Sequence, residues 1–183
     1  MNINSLSEEE QIEIVLKNGN YIKYINNPCL EVQLAAVTQY GHNIEFINDP
    51  CLDVQLAAVN QDGHSIRHIN NPYLEVQLAA INNHSSSIQY IDTPCLELQL
   101  AAVTQYGPSI QFIKDPCLEV QLAATNQDGY SIKYINNPCY DLQLVSIQDK
   151  TNTRKIHFNF IKPYITYPDL LELLEIKILA CEE

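Results

Sequence analysis

Apolar and polar positions along this chain follow a pattern that returns every 22 residues. NPCLEVQLAA at Asn27 to Ala36 is followed by related decapeptides beginning at Asp49, Asn71, Thr93, Asp115 and Asn137. On a helical wheel of about 100° per residue, Leu52, Leu56 and Val59 of the second copy fall together, Cys51 and Ala58 flank them, and Val54 extends the arc. More than half the circumference is then apolar, and Asp53, Ala57 and Asn60 form the polar strip. Such a helix is expected to be walled by neighbours on two sides. A fixed period of this length predicts a repeat array whose units are each too small to bury their apolar face alone.

The rest of each period predicts a second, shorter element. The repeats, 21–42, 43–64, 65–86, 87–108, 109–130 and 131–152, open on segments such as Ser87 to Ile91, whose two isoleucines three apart suit one face of a one- to two-turn helix. An Asn, Asp or Thr then precedes proline and is expected to cap the longer helix, with Pro at its first position. The first long helix would run from Pro28 to about Gln39, with Gly41 ending it. All five glycines, Gly19, Gly41, Gly63, Gly107 and Gly129, lie on one 22-residue lattice, with Ser85 filling the gap, as expected where a helix end takes the left-handed conformation.

The two ends depart from the lattice. Residues 1–20 read as a capping helix: Ser5 with Glu8 and Ser7 with Glu10 both fit a capping box, and Ile12, Ile14, Val15 and Leu16 follow. Residues 153–183 read as a closing segment, with a short helix over Arg154 to Ile161 and a leucine-rich helix from Asp169 to about Ala180. That last helix either covers the final repeat or forms the seam of a homodimer. The expectation is one all-α domain over 1–183, a right-handed α-α superhelix (solenoid) of six two-helix repeats with terminal caps.

Charge narrows the partners. With 10 Lys and Arg against 22 Asp and Glu, the net charge of −12 repels phosphate backbones and anionic membranes and favours basic partners. No stretch approaches the ~18 to 20 apolar residues of a membrane span, and the opening residues lack the basic and apolar regions of a signal peptide. The expected location is therefore cytoplasmic. Five of six cysteines, Cys29, Cys51, Cys95, Cys117 and Cys139, hold the same place in their repeats, with Tyr73 in the third. Helices packed ~8 to 10 Å apart do not suit a disulfide, so these thiols are expected to be small buried apolar side chains.

Three further columns recur. Gln33, Gln55, Gln77, Gln99, Gln121 and Gln143 fall inside the apolar arc and need partners there, expected among the Asn and Asp side chains and the backbone of adjoining repeats. The acidic column, Glu31, Asp53, Glu75, Glu97, Glu119 and Asp141, is the chosen protein-binding surface, although an acid in the first turn also complements the helix dipole without any partner. Tyr24, Phe46, His68, Tyr90, Phe112 and Tyr134 form an aromatic column on the short helices, expected to pack over the interhelical groove.

The core Pro-x-x-Glu-Val-Gln-x-Ala, seen at Pro28, Glu31, Val32, Gln33 and Ala35, resembles the leucine-rich-variant and HEAT-like helical repeats, where Pro-x-x-Glu-Val-Arg is frequent. In those families an Asp and an Arg six residues apart pair between repeats. Asp49 with Gln55 and Asp115 with Gln121 keep that interval, so a neutral ladder is implied. The short period favours a short or 3₁₀ first helix. The resemblance covers residues 21 to about 148 and implies an adaptor, inhibitor or scaffold.

Catalysis finds no support in these residues. There is no phosphate loop or nucleophile elbow, and nearly everything polar is repeated whereas catalytic sites are singular. His64 and His68 are four apart but straddle a repeat boundary without a third ligand in sequence, so neither a metal nor another cofactor is expected. His157 and Tyr164 lie outside the lattice. The expected function is a non-catalytic adaptor or inhibitor that holds a basic peptide or protein surface along the acidic ladder. The alternative is an acidic nucleic-acid mimic, of the phage anti-defence type, that inhibits a nucleic-acid-binding enzyme.

Overall fold

Ser7, one of the two starts that the sequence offers, begins the first α-helix. Its hydroxyl accepts the Glu10 amide at 3.3 Å while Glu10 Oε2 accepts the Ser7 amide at 2.9 Å, closing the capping box that opens α1 (Glu8–Lys17). The computed structural model describes residues 3–148 and 155–180. The expected helix start at Arg154 and the end of the sixth repeat at 152 lie outside them. By compactness the chain divides into two units between Thr93 and Pro94. Every regular element among the described residues is helical, so the chain is a helical repeat protein of all-α class.

In the first unit, α1 is followed by α2 (Leu30–Gln39), α3 (Leu52–Gln61) and α4 (Leu74–Asn83), each packing on the next. Before α2, and after each of α2, α3 and α4, comes a six-residue 3₁₀ helix, at Gly19–Tyr24, Gly41–Phe46, Gly63–His68 and Ser85–Tyr90. The short first element of each repeat is thus 3₁₀, as the period implied. The core is a stack of small side chains. Val32, Val54 and Val76 with Ala36, Ala58 and Ala80 come from the long helices, Ile22, Ile44 and Ile66 from the 3₁₀ helices, and all are buried.

The second unit repeats the scheme in α5 (Leu96–Gln105), α6 (Leu118–Gln127) and α7 (Tyr140–Gln148), with 3₁₀ helices at Gly107–Phe112 and Gly129–Tyr134. Then follow α8 (Lys155–Ile161) and α9 (Pro168–Ala180). Leu170 and Leu174 of α9 are buried with Ile132, Ile147, Phe158 and Ile161, so one face of the leucine-rich helix covers the last repeat. Ile176 and Leu179 on its other side are exposed. The cover is also tied by polar contacts: the Thr166 amide donates to Gln143 Oε1 at 2.7 Å, and Tyr140 donates to Asp169 Oδ2 at 2.8 Å.

Four local expectations are corrected. The long helices begin two residues later than proline, with Cys29, Cys51, Tyr73, Cys95 and Cys117 at the N-cap position of α2 to α6 and no side-chain cap bond. Asn27, Asp49, Asn71, Asp115 and Asn137 instead take φ between 47° and 51°. Asn and Asp tolerate that left-handed turn, and the following proline bars them from the right-handed helix. The glycines, by contrast, show no positive φ. Gly41 is required by proximity: a Cβ there would stand 2.5 Å from Ser65 Oγ and closer still to the Ala58 carbonyl oxygen of the next repeat.

The wheel misplaced one column. Val54, Ala58 and Val59 are fully buried, but Leu52 is exposed, as are Leu30, Leu74, Leu96 and Leu118, at 36 to 51%. The capping cysteines follow them outward: Cys51, Cys95, Cys117 and Cys139 are exposed and Cys29 half-buried, all as free thiols. Both results have one cause. These residues stand at the first position of the helix or just before it, where the neighbouring helix covers only part of each side chain.

Candidate binding surface and polar clusters

Each proline carbonyl before a long helix needs a donor, and a glutamine supplies it, buried at Gln55 and Gln143 and half-buried in the other four copies. Gln33, Gln55, Gln77, Gln99, Gln121 and Gln143 donate Nε2 to the carbonyls of Pro28, Pro50, Pro72, Pro94, Pro116 and Pro138, at 2.7 to 2.9 Å. Through these bonds the glutamine column braces its own repeat in place of the expected pairing with Asn or Asp side chains, Asp49 with Gln55 included, and Gln143 also reaches Thr166 of the closing segment. Gln77→Ala is expected to cost about 1 kcal/mol, the usual net worth of one such bond. Chemical denaturation checks this, and an unchanged midpoint would remove the glutamines from the fold's support.

The ties between repeats come from a different amide. Gly41 donates its backbone N–H to Gln61 Oε1 at 2.6 Å, Gly63 to Asn83 Oδ1 at 2.8 Å, and Gly107 to Gln127 Oε1 at 2.6 Å. At the start of the chain Gly19 donates to Gln39 Oε1 at 2.9 Å, and Gln39 Nε2 returns a bond to the Val15 carbonyl at 2.8 Å. These residues sit at the last turn of each long helix, six positions beyond the column the sequence singled out.

The acidic column lies outside. Glu31, Asp53 and Glu75 are exposed on successive stacked helices of the first unit, and Glu97, Glu119 and Asp141 are exposed on those of the second. Each stands in the first turn of its helix, where it also complements the helix dipole. The exposed leucine column runs directly beside it. Leu30, Leu52 and Leu74 precede the three acids of the first unit by one residue, and Leu96 and Leu118 do so in the second, where Tyr140 takes the third place. A single exposed leucine is ordinary, but the same leucine left outside on consecutive rungs makes an apolar strip.

On the short helices Tyr24, Phe46 and Phe112 are exposed, while His68, Tyr90 and Tyr134 are half-buried. Polar clefts of about 630 and 620 Å³ flank this column in the first unit, one lined by Lys23, Gln33, Phe46 and Asn48, the other by Glu45, Gln55, His68 and Asn71. His68 is a poor ligand here. Its Nε2 accepts from Arg67 Nε at 2.9 Å, and burial holds its imidazole below the usual histidine range despite Glu45 at 3.6 Å.

His64 has a different set of neighbours, which sequence spacing did not reveal. Its Nδ1 lies 3.2 Å from Asp62 Oδ1, its Nε2 lies 3.0 Å from Ser86 Oγ, and its ring is 4.7 Å from that of His84. His84 Nδ1 is 3.7 Å from the same Asp62 oxygen. Partial burial opposes ionisation of Asp62, but hydrogen bonds from the His64 amide and imidazole, with the nearby rings, outweigh it and hold the carboxyl below its ordinary value. The signal was present on the repeat lattice: His84 occupies the place of Asp62 one repeat later, and Ser86 that of His64. Looking along the chain, from His64 to His68, hid it.

No family model, curated protein or solved structure matches this chain. Among the described residues no helix is long and apolar enough to cross a membrane.

Proposed function

We propose that the chain is a non-catalytic protein-binding module, an adaptor or inhibitor that engages a basic segment along its acidic columns. The observation that carries this reading is the pairing of an exposed carboxylate with an exposed leucine at the start of α2 to α6, with Tyr140 in the leucine's place on α7. Opposite charge steers and orients a partner, while the adjacent apolar strip supplies contact area that charge alone does not. Stacked helices sit ~8 to 10 Å apart, and an extended chain advances about 3.3 Å per residue. A basic residue at about every third position of an extended partner therefore keeps step with the carboxylates within a unit.

The Pro-x-x-Glu-Val-Gln core and the 3₁₀ first element support placing the chain near the leucine-rich-variant and HEAT-like repeats, whose members act as scaffolds and inhibitors. A mimic of nucleic acid is less well supported, because phosphate imitation calls for charge without a row of leucines beside it. The reading is tested with a labelled extended peptide carrying lysine at every third position. Asp53→Lys combined with Glu75→Lys is expected to weaken binding about tenfold at low salt, as is added salt on the unaltered chain. Affinity indifferent to both would exclude the acidic columns.

A further inference from the structure

We propose that Asp62, His64 and His84 form a site for one borderline divalent transition-metal ion of the zinc class. The donor atoms of the three side chains all lie within 4.8 Å of one another. Around zinc, ligands at ~2.0 to 2.1 Å in a tetrahedron stand about 3.3 Å apart. Gathering the three donors therefore takes shifts of about 1 Å in exposed or half-buried side chains. Two imidazoles and one carboxylate, with a position left open to water, are a donor set that suits zinc, cobalt or nickel and not the hard, oxygen-seeking calcium or magnesium.

The surroundings supply what a metal-binding histidine needs. When the His64 Nδ1 lone pair turns to the ion, its Nε2–H is placed to donate to Ser86 Oγ, now 3.0 Å away, which fixes both tautomer and ring orientation. Asp62 is itself held, because its Oδ1 accepts the His64 backbone amide at 3.0 Å. That capping bond alone does not explain the cluster. Asp128 makes the same bond to the Tyr130 amide at 2.9 Å with no imidazole at either corresponding place nearby. His64 shares its lattice place with His42, but there Tyr40 stands where Asp62 does; His84 is the one imidazole in its own column, and only here do two imidazoles converge on one carboxylate. Metal binding through Nδ1 thus leaves the single proton of the neutral ring on Nε2, where Ser86 Oγ can accept it.

The test uses the untagged, full-length chain titrated with zinc chloride and followed through the imidazole proton–nitrogen resonances, with cobalt as a second, coloured probe. One equivalent of zinc is expected to move the His64 and His84 rings and leave those of His42 and His68 in place. Cobalt should show no thiolate charge-transfer band, which separates this site from the exposed cysteines. His64→Gln and His84→Gln should each weaken zinc at least by the ~10- to 100-fold that loss of a supporting residue costs, while His68→Gln leaves it unchanged. Affinity should also fall as pH is lowered, since only neutral imidazole binds metal. Absence of binding, binding that moves neither ring, a thiolate band, or full affinity in both glutamine variants would overturn the proposal. The ring shifts are read on the unaltered chain, so the result does not depend on how the variants fold.

Discussion

Gly41→Ala is expected to destabilise the protein by about 3 kcal/mol, the upper end of what overpacking costs. The added methyl meets two groups that have nowhere to go: the Ala58 carbonyl, fixed in α3, and Ser65 Oγ, which lies 2.5 Å from the Cβ position on the next 3₁₀ helix. Relieving the overlap also pulls the Gly41 amide from Gln61 Oε1, now 2.6 Å away. Because the two groups lie further along the chain, on α3 and on the 3₁₀ helix that follows it, the strain falls on the contact between rungs. Gly19→Ala is the internal comparison. There a Cβ would lie 2.9 Å from the side-chain Nδ2 of Asn43 and 3.0 Å from the Ala36 carbonyl oxygen, so a smaller loss is expected. Urea unfolding of the two variants checks the order. Equal, small losses would show that the stack can open at Gly41 without cost.

Ile66→Ala is expected to cost ~2 to 5 kcal/mol and Leu74→Ala less than about 0.5, although the amino acids removed are near-equal in size. Ile66 is 2% exposed and sits in the core of the first unit, where its loss leaves a cavity among Val54, Val76 and neighbouring side chains. Leu74 is 48% exposed at the first position of α4. The contrast bears on function as well as stability, because a leucine that contributes little to folding yet recurs on every long helix but the last is free to serve a partner. If Leu74→Ala proves as damaging as Ile66→Ala, the leucine strip belongs to the core and its place in the binding surface is lost.

The architecture was legible because a 22-residue period constrains every position several times over. The helix content and the short first element follow from pattern, while the box at Ser7 and Glu10 was one of two that fit and the cover formed by Leu170 and Leu174 one of two roles open to that helix. The errors share a physical origin. Placing the cap at Asn27 and not at Cys29 started the helix two residues early and counted Cys29 as a helical core position, while Leu30, at the apolar angle of the wheel, stands at the first position, where it is left exposed. The glycine lattice was seen, but its reason is approach between backbones of neighbouring rungs, and a sequence read one helix at a time holds no such distances. The exposure of Glu31, Asp53 and Glu75 was legible; the leucines beside them were not, since periodicity reports an apolar face without saying whether a neighbour reaches it. Asp62, His64 and His84 escaped for a related reason, because they meet across the stack and not along the chain.

The bonds from Gly19, Gly41 and Gly63 all point the same way, each amide served by a side chain that comes about 20 residues later. Within a unit, completion therefore runs against the direction of synthesis: a rung emerging from the ribosome holds an unanswered donor until its successor arrives. Trimming from the front returns a glutamine or asparagine side chain to water and takes Asn4 from the Asn26 amide and the Tyr24 carbonyl, both at exposed contacts that water can replace, whereas trimming from the back strips a main-chain group of its acceptor beside the core. The array is directional in its needs, and a distinct ending is a stricter requirement than a distinct beginning.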